Sequence, residues 1–573
     1  MRSPIRAALL ASGLLLLAAC HHKDENAPLA YVPADTAFVA ANLKPLDDDA
    51  SKALLAQANS QLPAQLLQLR QAAADLHAKH EDGLANFIDA LIKEFDGKTS
   101  YQQIAKDIGT DIHGLGAFYG VGLMPVLRTQ VTDAKRFEAF VQRLATAAGS
   151  PLQDRSAGSL HYRSAALGQS PLQLLSAIEH DQAVLALVPA DAKPALIEQV
   201  LGAKRPAHSV QDEDTLEKLA ESKDYSPYAT GYLDLTRLAP LITGGKDPMA
   251  QAFYDFVRAS QHKPAQALPP MPVACRDDIN RVASRVPRIS LGYTKLVPGR
   301  IDQRVDIRLA KDITQPFADL AVNVPGLGDS GHVAPFDLSV AMPMMQVRDF
   351  WSAQAKAVTA KPFTCPALNK LNDSFAKLGA QVGKLGIPPL GDVLGFHLTL
   401  DQVAVPAQGK PTASGALLVA SKNPAGLLAI GQAMVPALAK LDVGKDGKPV
   451  ALPAQLAALA GGKAWVAMNN KALGVAAGDG EDAKLGSLMQ GSGGKHGALA
   501  RMYVSGPMYG KWITTFMQRA SQQLAAKDPA AAMRLDQQAK AMKQQFDKIE
   551  SVSLNVRMEN EGLVLTSSTR WKQ

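Results

Sequence analysis

The sequence predicts an α+β fold of two duplicated lobes, each a mostly antiparallel β-sheet packed with helices. Three observations carry that expectation. Strand-like runs recur in one order in two halves of the chain. Each half repeats a strand, an Asp or Asn turn and an apolar helix, and each closes on a hairpin whose arms alternate apolar and polar residues. A chain of 573 residues with 47% apolar and 20% charged residues has ample material for large cores, and its length suggests two to four domains.

Residues 1–19 read as a secretory signal. Arg2 and Arg6 precede an apolar run over 7–17, and Leu17-Ala18-Ala19 leads into Cys20. The run is too short to span a bilayer as a mature helix. A cysteine directly after Leu-Ala-Ala is the residue that bacterial lipoprotein processing acylates, so Cys20 is expected to become the lipidated N-terminus. Residues 20–30 then form a short tether that opens His21-His22-Lys23-Asp24-Glu25-Asn26. Acyl chains contribute ~0.8 kcal/mol per buried methylene, so several together hold firmly where one holds reversibly. His21 stands where enteric bacteria place an aspartate to keep lipoproteins in the inner membrane. The expected address is therefore the outer membrane, facing the periplasm. No apolar run after Cys20 reaches the ~18 residues of a second span.

The first lobe, 31–312, offers strands at 37–43, 116–131, 182–188, 230–235 and 288–309. The second, 332–573, offers 336–342, 394–405 with 414–420, 464–476, 501–505 and 551–570. Pairing Val39 with Leu338, Asp133 with Asn423, Asp191 with Glu481, Tyr232 with Met502 and Ser290 with Ser553 gives offsets of 299, 290, 290, 270 and 263. The offset only falls, as when one unit is copied and the copy loses loops. Asp133 precedes Phe137, Phe140, Val141 and Leu144 at helical spacing, and Asn423-Pro424 opens an apolar helix through Leu438. The hairpins turn at Pro298-Gly299 and at 559–562. Further helices are expected at 51–80, 83–95, 366–385 and 512–548, the last with Met533, Ala539, Met542 and Phe546 on its apolar side. Residues 313–331, with two prolines and three glycines, read as a linker.

The opening of the first lobe, Tyr31-Val32-Pro33-Ala34-Asp35-Thr36-Ala37-Phe38-Val39, carries a resemblance. A Pro-Ala-Asp-Thr turn entering a strand, after a lipobox, resembles a family of uncharacterised bacterial envelope lipoproteins built on a domain of unknown function. The resemblance is close over the opening motif and loose beyond it. It implies an extracytoplasmic, non-enzymatic protein and transfers no site residue.

Chemistry-bearing motifs are weak throughout. His77 and His80 share a helix face with Glu81 nearby, but Lys79 and Asp82 mark that face as solvated, and no third ligand stands in view. Gly491-Ser492-Gly493-Gly494-Lys495-His496 lacks both the leading glycine and the Ser or Thr that a phosphate loop needs, and reads as a flexible surface loop. No Gly-x-Ser-x-Gly elbow follows a strand. The methionines of Met342-Pro343-Met344-Met345, with Met502, Met508 and Met517, suit core filling or an adaptable groove. With Cys20 acylated, Cys275 and Cys365 remain, and an oxidising compartment pairs them as a disulfide across the two halves.

Charge points the same way. The formal net charge is +7, aromatics are 5%, and no polybasic block appears, so no nucleic-acid partner is expected. Nor is a nucleotide, a metal or another cofactor. The expected function is a lipid-anchored periplasmic binding or scaffold protein of the envelope, without catalysis. Its partners are the membrane, through the N-terminal lipid, and an envelope protein or amphiphile met in a groove between lobes. The alternative is a carrier or chaperone sheltering an acyl chain in that groove or against an apolar sheet face lined by Phe336, Leu338, Val340 and Met342.

Overall fold

The computed structural model describes residues 24–572, apart from 81, 168–169, 261–271, 329–330, 405–411 and 495–496. The expected signal sequence and Cys20 lie outside the described residues. The fold is mixed α and β, and every strand pairing among the described residues is antiparallel. In place of one sheet per lobe there is a single sheet of 19 strands.

Its middle is the ladder between β10 (Arg300–Arg308) and β19 (Gly562–Trp571), running from Arg300 opposite Arg570 to Arg308 opposite Gly562. Outward from β10 come β9 (Arg288–Val297), β8 (Thr230–Asp234), β1 (Phe38–Ala41), β2 (Gly116–Val121) and β3 (Met124–Gln130). Beyond them lie β7 (Gln182–Pro189), β6 (Leu172–Glu179), β5 (Leu160–Ala166) and β4 (Gln153–Ala157). Outward from β19 come β18 (Ile549–Glu559), β17 (Ala498–Ser505), β11 (Phe336–Ala341), β12 (Val393–Ala404) and β13 (Thr412–Ser421). Then follow β16 (Ala472–Ala477), β15 (Ala464–Met468) and β14 (Val450–Ala451). The outermost strands are unlike. In β4, Gln153, Asp154, Arg155 and Ser156 are all exposed, and β14 is two residues long.

One face of this sheet is covered and the other is partly open. On the covered face of the first half, Val39, Tyr119, Val126, Val184 and Tyr232 are each at most 3% exposed, beneath helices Pro194–Leu201 and Thr215–Lys223. The chain from Asp24 to Val32 closes the same core. Residues 26–30, expected as tether, are instead packed: Leu29 is buried, and Asn26 carbonyl accepts from Gln182 Nε2 at 2.5 Å. Residues 313–318, expected to open a linker, lie within helix Lys311–Ala318, and Leu320, Val324 and Leu327 after it are buried.

The capping residues act as their positions suggest. The Asp133 side chain accepts from Arg136 N before helix Ala134–Ala147, and the Asn423 side chain from Gly426 N before helix Pro424–Met434. The helix expected over 512–548 is two helices, Gly506–Ala525 and Pro529–Asp547. The break falls where Asp528 caps Ala531 N and Pro529 takes the first turn. Ala539 is buried as expected there, but Met533 is 61% exposed.

Candidate functional site

The open face of the sheet is where apolar side chains meet solvent. Starting at Leu185, the cross-strand register runs through Leu127, Phe118, Ala40, Gly231, Leu291 and Val305 to the middle of the sheet. It continues through Leu565, Val556, Ala500, Val340, Phe396, Val419 and Leu473 to Met468. No charged or polar residue interrupts this line across fifteen strands. At ~4.8 Å per strand it is roughly 65–70 Å long. In a second-half row beside it, Leu554, Met502, Leu338, Leu398, Leu417 and Val475 oppose one another.

Helices cover parts of this face. Helix Ala134–Ala147 packs on Ala183 and Leu185, and helices Lys311–Ala318 and Met344–Ala360 lie near Met558 and Leu563. Trp512 meets Phe336 at 5.2 Å between ring centres. Between them Phe118 is 47% exposed, Leu291 45%, Leu127 41%, Leu417 37% and Val475 43%. Of the residues named from sequence for such a face, Phe336, Leu338 and Val340 do share it, each half-buried, and Met342 follows β11.

On the covered face of the second half lies a polar group that no sequence motif flagged. Asp337, Ser339 and His397 are at most 1% exposed. His397 Nε2 donates to Asp337 Oδ1 at 2.9 Å, and Arg501 reaches the same oxygen at 2.9 Å. Arg501 Nε also donates to Gly326 carbonyl, and Val333 N to Asp337 Oδ2, so the group ties Gly326 and Val333 to the sheet. Burial works to raise the Asp337 carboxyl, but the His397 hydrogen bond and the charges of His397 and Arg501 hold it below the usual carboxylate range.

Asp, His and Ser in company suggest nucleophilic chemistry, yet the geometry lacks two requirements. Ser339 Oγ and His397 Nδ1 each have no hydrogen-bond partner, so nothing activates the hydroxyl, and the site is sealed. Gly326, at φ +83°, allows this closeness, because a Cβ there would stand 2.4 Å from His397 Nδ1.

The groove expected between lobes is replaced at sheet level by the continuous β10–β19 ladder. A cavity of about 870 Å³ flanks that seam, with Lys223, Asp306 and Glu561 in its wall. Its charges close on one another. Asp306 accepts from Tyr225 Oη at 2.6 Å and from both ends of Arg304, while Lys223 bridges to Glu561 at 2.9 Å. Burial first, then the Asp306 hydrogen bond, raises the Tyr225 hydroxyl.

A second carboxylate cluster sits at the start of helix Glu481–Leu488. Lys484 Nζ lies 2.6 Å from Asp401 and 3.5 Å from Glu481. Burial, with the hydrogen bond and charge of Asp401, pushes Glu481 up to about 7 against the pull of Lys484.

Cys275 and Cys365 form a disulfide with Cα atoms 4.4 Å apart, closing a separation of 90 residues. Asp278 locks it in place by accepting from Thr364 N at 2.6 Å and Cys365 N at 3.0 Å. Of the histidines considered for metal, His77 is held by Asp82 and Asp89, and His80 is exposed. No group of three potential ligands gathers among the described residues. The glycine-rich loop at 491–494 is packed rather than free, since Gly328 N donates to Ser492 carbonyl at 3.2 Å. Lys495 and His496 lie outside the described residues. No helix among them is long and apolar enough to cross a membrane. No protein-family model, no curated protein and no solved structure matches the chain.

Proposed function

We propose that this chain is a lipid-anchored, periplasm-facing binding protein of the bacterial outer membrane. It acts without catalysis and takes the acyl part of an amphiphile on its open sheet face. One observation supports the amphiphile reading above the scaffold reading: the apolar line across fifteen strands, whose exposed members include Phe118, Leu127 and Leu291. Exposed apolar side chains gathered on one sheet face in this way mark a surface that a partner covers. The anchor reading rests on the Leu-Ala-Ala-Cys20 sequence and on the resemblance of the opening motif to envelope lipoproteins.

The two-lobe reading belongs to the same proposal. Its support is the strand order on either side of the central ladder, which runs hairpin, single strand, first strand, next hairpin in both directions. In that register Asp133 and Asn423 fall at like places, as do Ser290 and Ser553. Val39, however, aligns with Asp337 and Tyr232 with Tyr503, one residue from the sequence pairing.

The test uses the chain from His21 onward, secreted behind a cleavable signal and purified without detergent. Native mass spectrometry is expected to find acyl-bearing species on the wild-type chain, with loss of most of them in the double variant Leu127→Glu and Leu417→Glu. Both positions are exposed, so folding is retained. Bare protein that takes up no added fatty acid, or equal loading of the variant, overturns the reading.

A further inference from the structure

We propose that the polar floor at the seam, on the face opposite the apolar line, is a binding site for a saccharide bearing an acidic group. Register places Ser568 beside Ser553, Thr566 beside Asn555 and Arg570 beside Ser551, all on one side of β18 and β19. On the other side Leu565 stands opposite Val556, while Ser567 and Thr569 stand opposite Leu554 and Val552. A cavity of about 590 Å³ stands over this floor, and at its rim His332 stacks on Tyr503 at 3.5 Å and 8°.

Two features separate it from an ordinary wet sheet face. The Ser568 hydroxyl oxygen is hidden from solvent and has no hydrogen-bond partner. A buried polar atom in that state calls for an ordered water or ion, and Ser568 lines the cavity where one would sit. Arg570 is exposed and closes on no carboxylate among the described residues, whereas Arg300 closes on Asp302 at 2.7 Å and Arg501 on Asp337 at 2.9 Å. The seam cavity of about 870 Å³ offers the contrast, because its ionic groups already satisfy one another.

The chemistry of the floor defines its ligand. Hydroxyl and amide side chains on facing strands stand ~4.5–5.5 Å apart, a spacing that meets hydroxyls across a sugar ring. The stacked His332–Tyr503 pair adds aromatic ring surface to the wall of the cavity. A free guanidinium takes a carboxylate or phosphate through two parallel hydrogen bonds. Such a ligand occurs both as a free polysaccharide and as a glycolipid headgroup, and the inference does not depend on the amphiphile reading of the opposite face.

The experiment titrates the full chain with a galacturonate hexasaccharide, with maltohexaose as the uncharged control, and with phosphatidylcholine vesicles containing a glucuronosyl diacylglycerol. Saturable binding of an acidic ligand is expected, at least tenfold weaker in Arg570→Ala and unchanged in Arg155→Ala, an exposed arginine on β4. Ser568→Val is expected to weaken it as well. Binding of the hexasaccharide assigns the site to a free polymer, and binding of vesicles alone assigns it to a headgroup. The proposal is overturned if neither acidic ligand binds at millimolar concentration, if maltohexaose binds equally, or if Arg155→Ala weakens binding as much as Arg570→Ala.

Discussion

At one address of the sheet, its two halves solve the same packing problem with opposite chemistry. In the first half Val39 lies between Tyr119 and Tyr232, and Ala41 between Ala117 and Thr230. In the second, Asp337 lies between Thr399 and Tyr503, and Ser339 between His397 and Arg501. The first set carries no charge, whereas the second holds an acid and its two partners. One strand further out the polarity reverses: Arg128 stands beside Ala117, and Leu418 beside His397.

Arg128 is fully buried and lacks a carboxylate. It donates instead to Leu201 carbonyl at 2.7 Å and lies 3.8 Å over the Tyr31 ring. A covered sheet face thus accepts a charge wherever dipoles, a ring or a counter-ion close around it. The difference is in what breaks when one partner goes. Neutral dipoles share the load around Arg128, whereas Arg501 has Asp337 as a counter-ion beside the carbonyls of Gly326 and Gly331.

The comparison breaks most visibly at Asp337. Asp337→Ala leaves Arg501 and His397 facing a hole, and is expected to cost about 3–5 kcal/mol in denaturant unfolding. Val39→Ala at the matching address is expected to cost only about 1–3 kcal/mol, the loss of buried methyl groups. Equal costs would show that the ionic group is not what holds the second half.

Next in size is the disulfide that ties the halves outside the sheet. Cys275→Ser with Cys365→Ser is expected to lower stability by about 2–4 kcal/mol. In the unreduced, denatured wild-type chain from His21 onward, thiol titration should find no free thiol. Two titratable thiols would refute the link.

The smallest effect sharpens the contrast through pH. Glu481 is raised from 4.5 to about 7, so the folded protein holds its proton more tightly than the unfolded chain does. Stability from this group is complete below about 4.5 and is lost as pH rises through 7. Glu481→Gln should remove that slope and gain on the order of 1–2 kcal/mol at pH 8. A slope that survives the substitution places the titration elsewhere.

Much of this architecture was legible along the chain. The two hairpins, the caps Asp133 and Asn423 and the cysteine pair rest on local chemistry or on elimination, which sequence displays. The break at Asp528-Pro529 carried a cap signal too, but the alanine and glutamine around it masked the interruption. Strands β4 to β6 escaped because polar Gln153–Ala157 has no alternation to find.

The face of β12 was the deeper miss. In 395–400 polar and apolar residues alternate, and the usual rule sends His397 and Thr399 to water. The structure buries them and leaves Phe396, Leu398 and Leu400 half open, because Asp337 satisfies His397 and the Ala416 carbonyl satisfies Thr399. The joining of β10 to β19 pairs residues more than 250 positions apart, and no local pattern encodes it.

A sheet this wide is also a template on which more chain can grow, since each outermost strand offers unpaired backbone groups in a row. The two ends stop that growth differently. At one end β4 exposes an acid, a base and two polar side chains, so an incoming strand would have to strip their water and match their charges. At the other, β14 offers two residues, too few to seat a partner. Under the proposed Cys20 anchor, which would hold the chain at high density on a membrane, that guarding of both margins separates a surface crowded with individual molecules from one overgrown by filament.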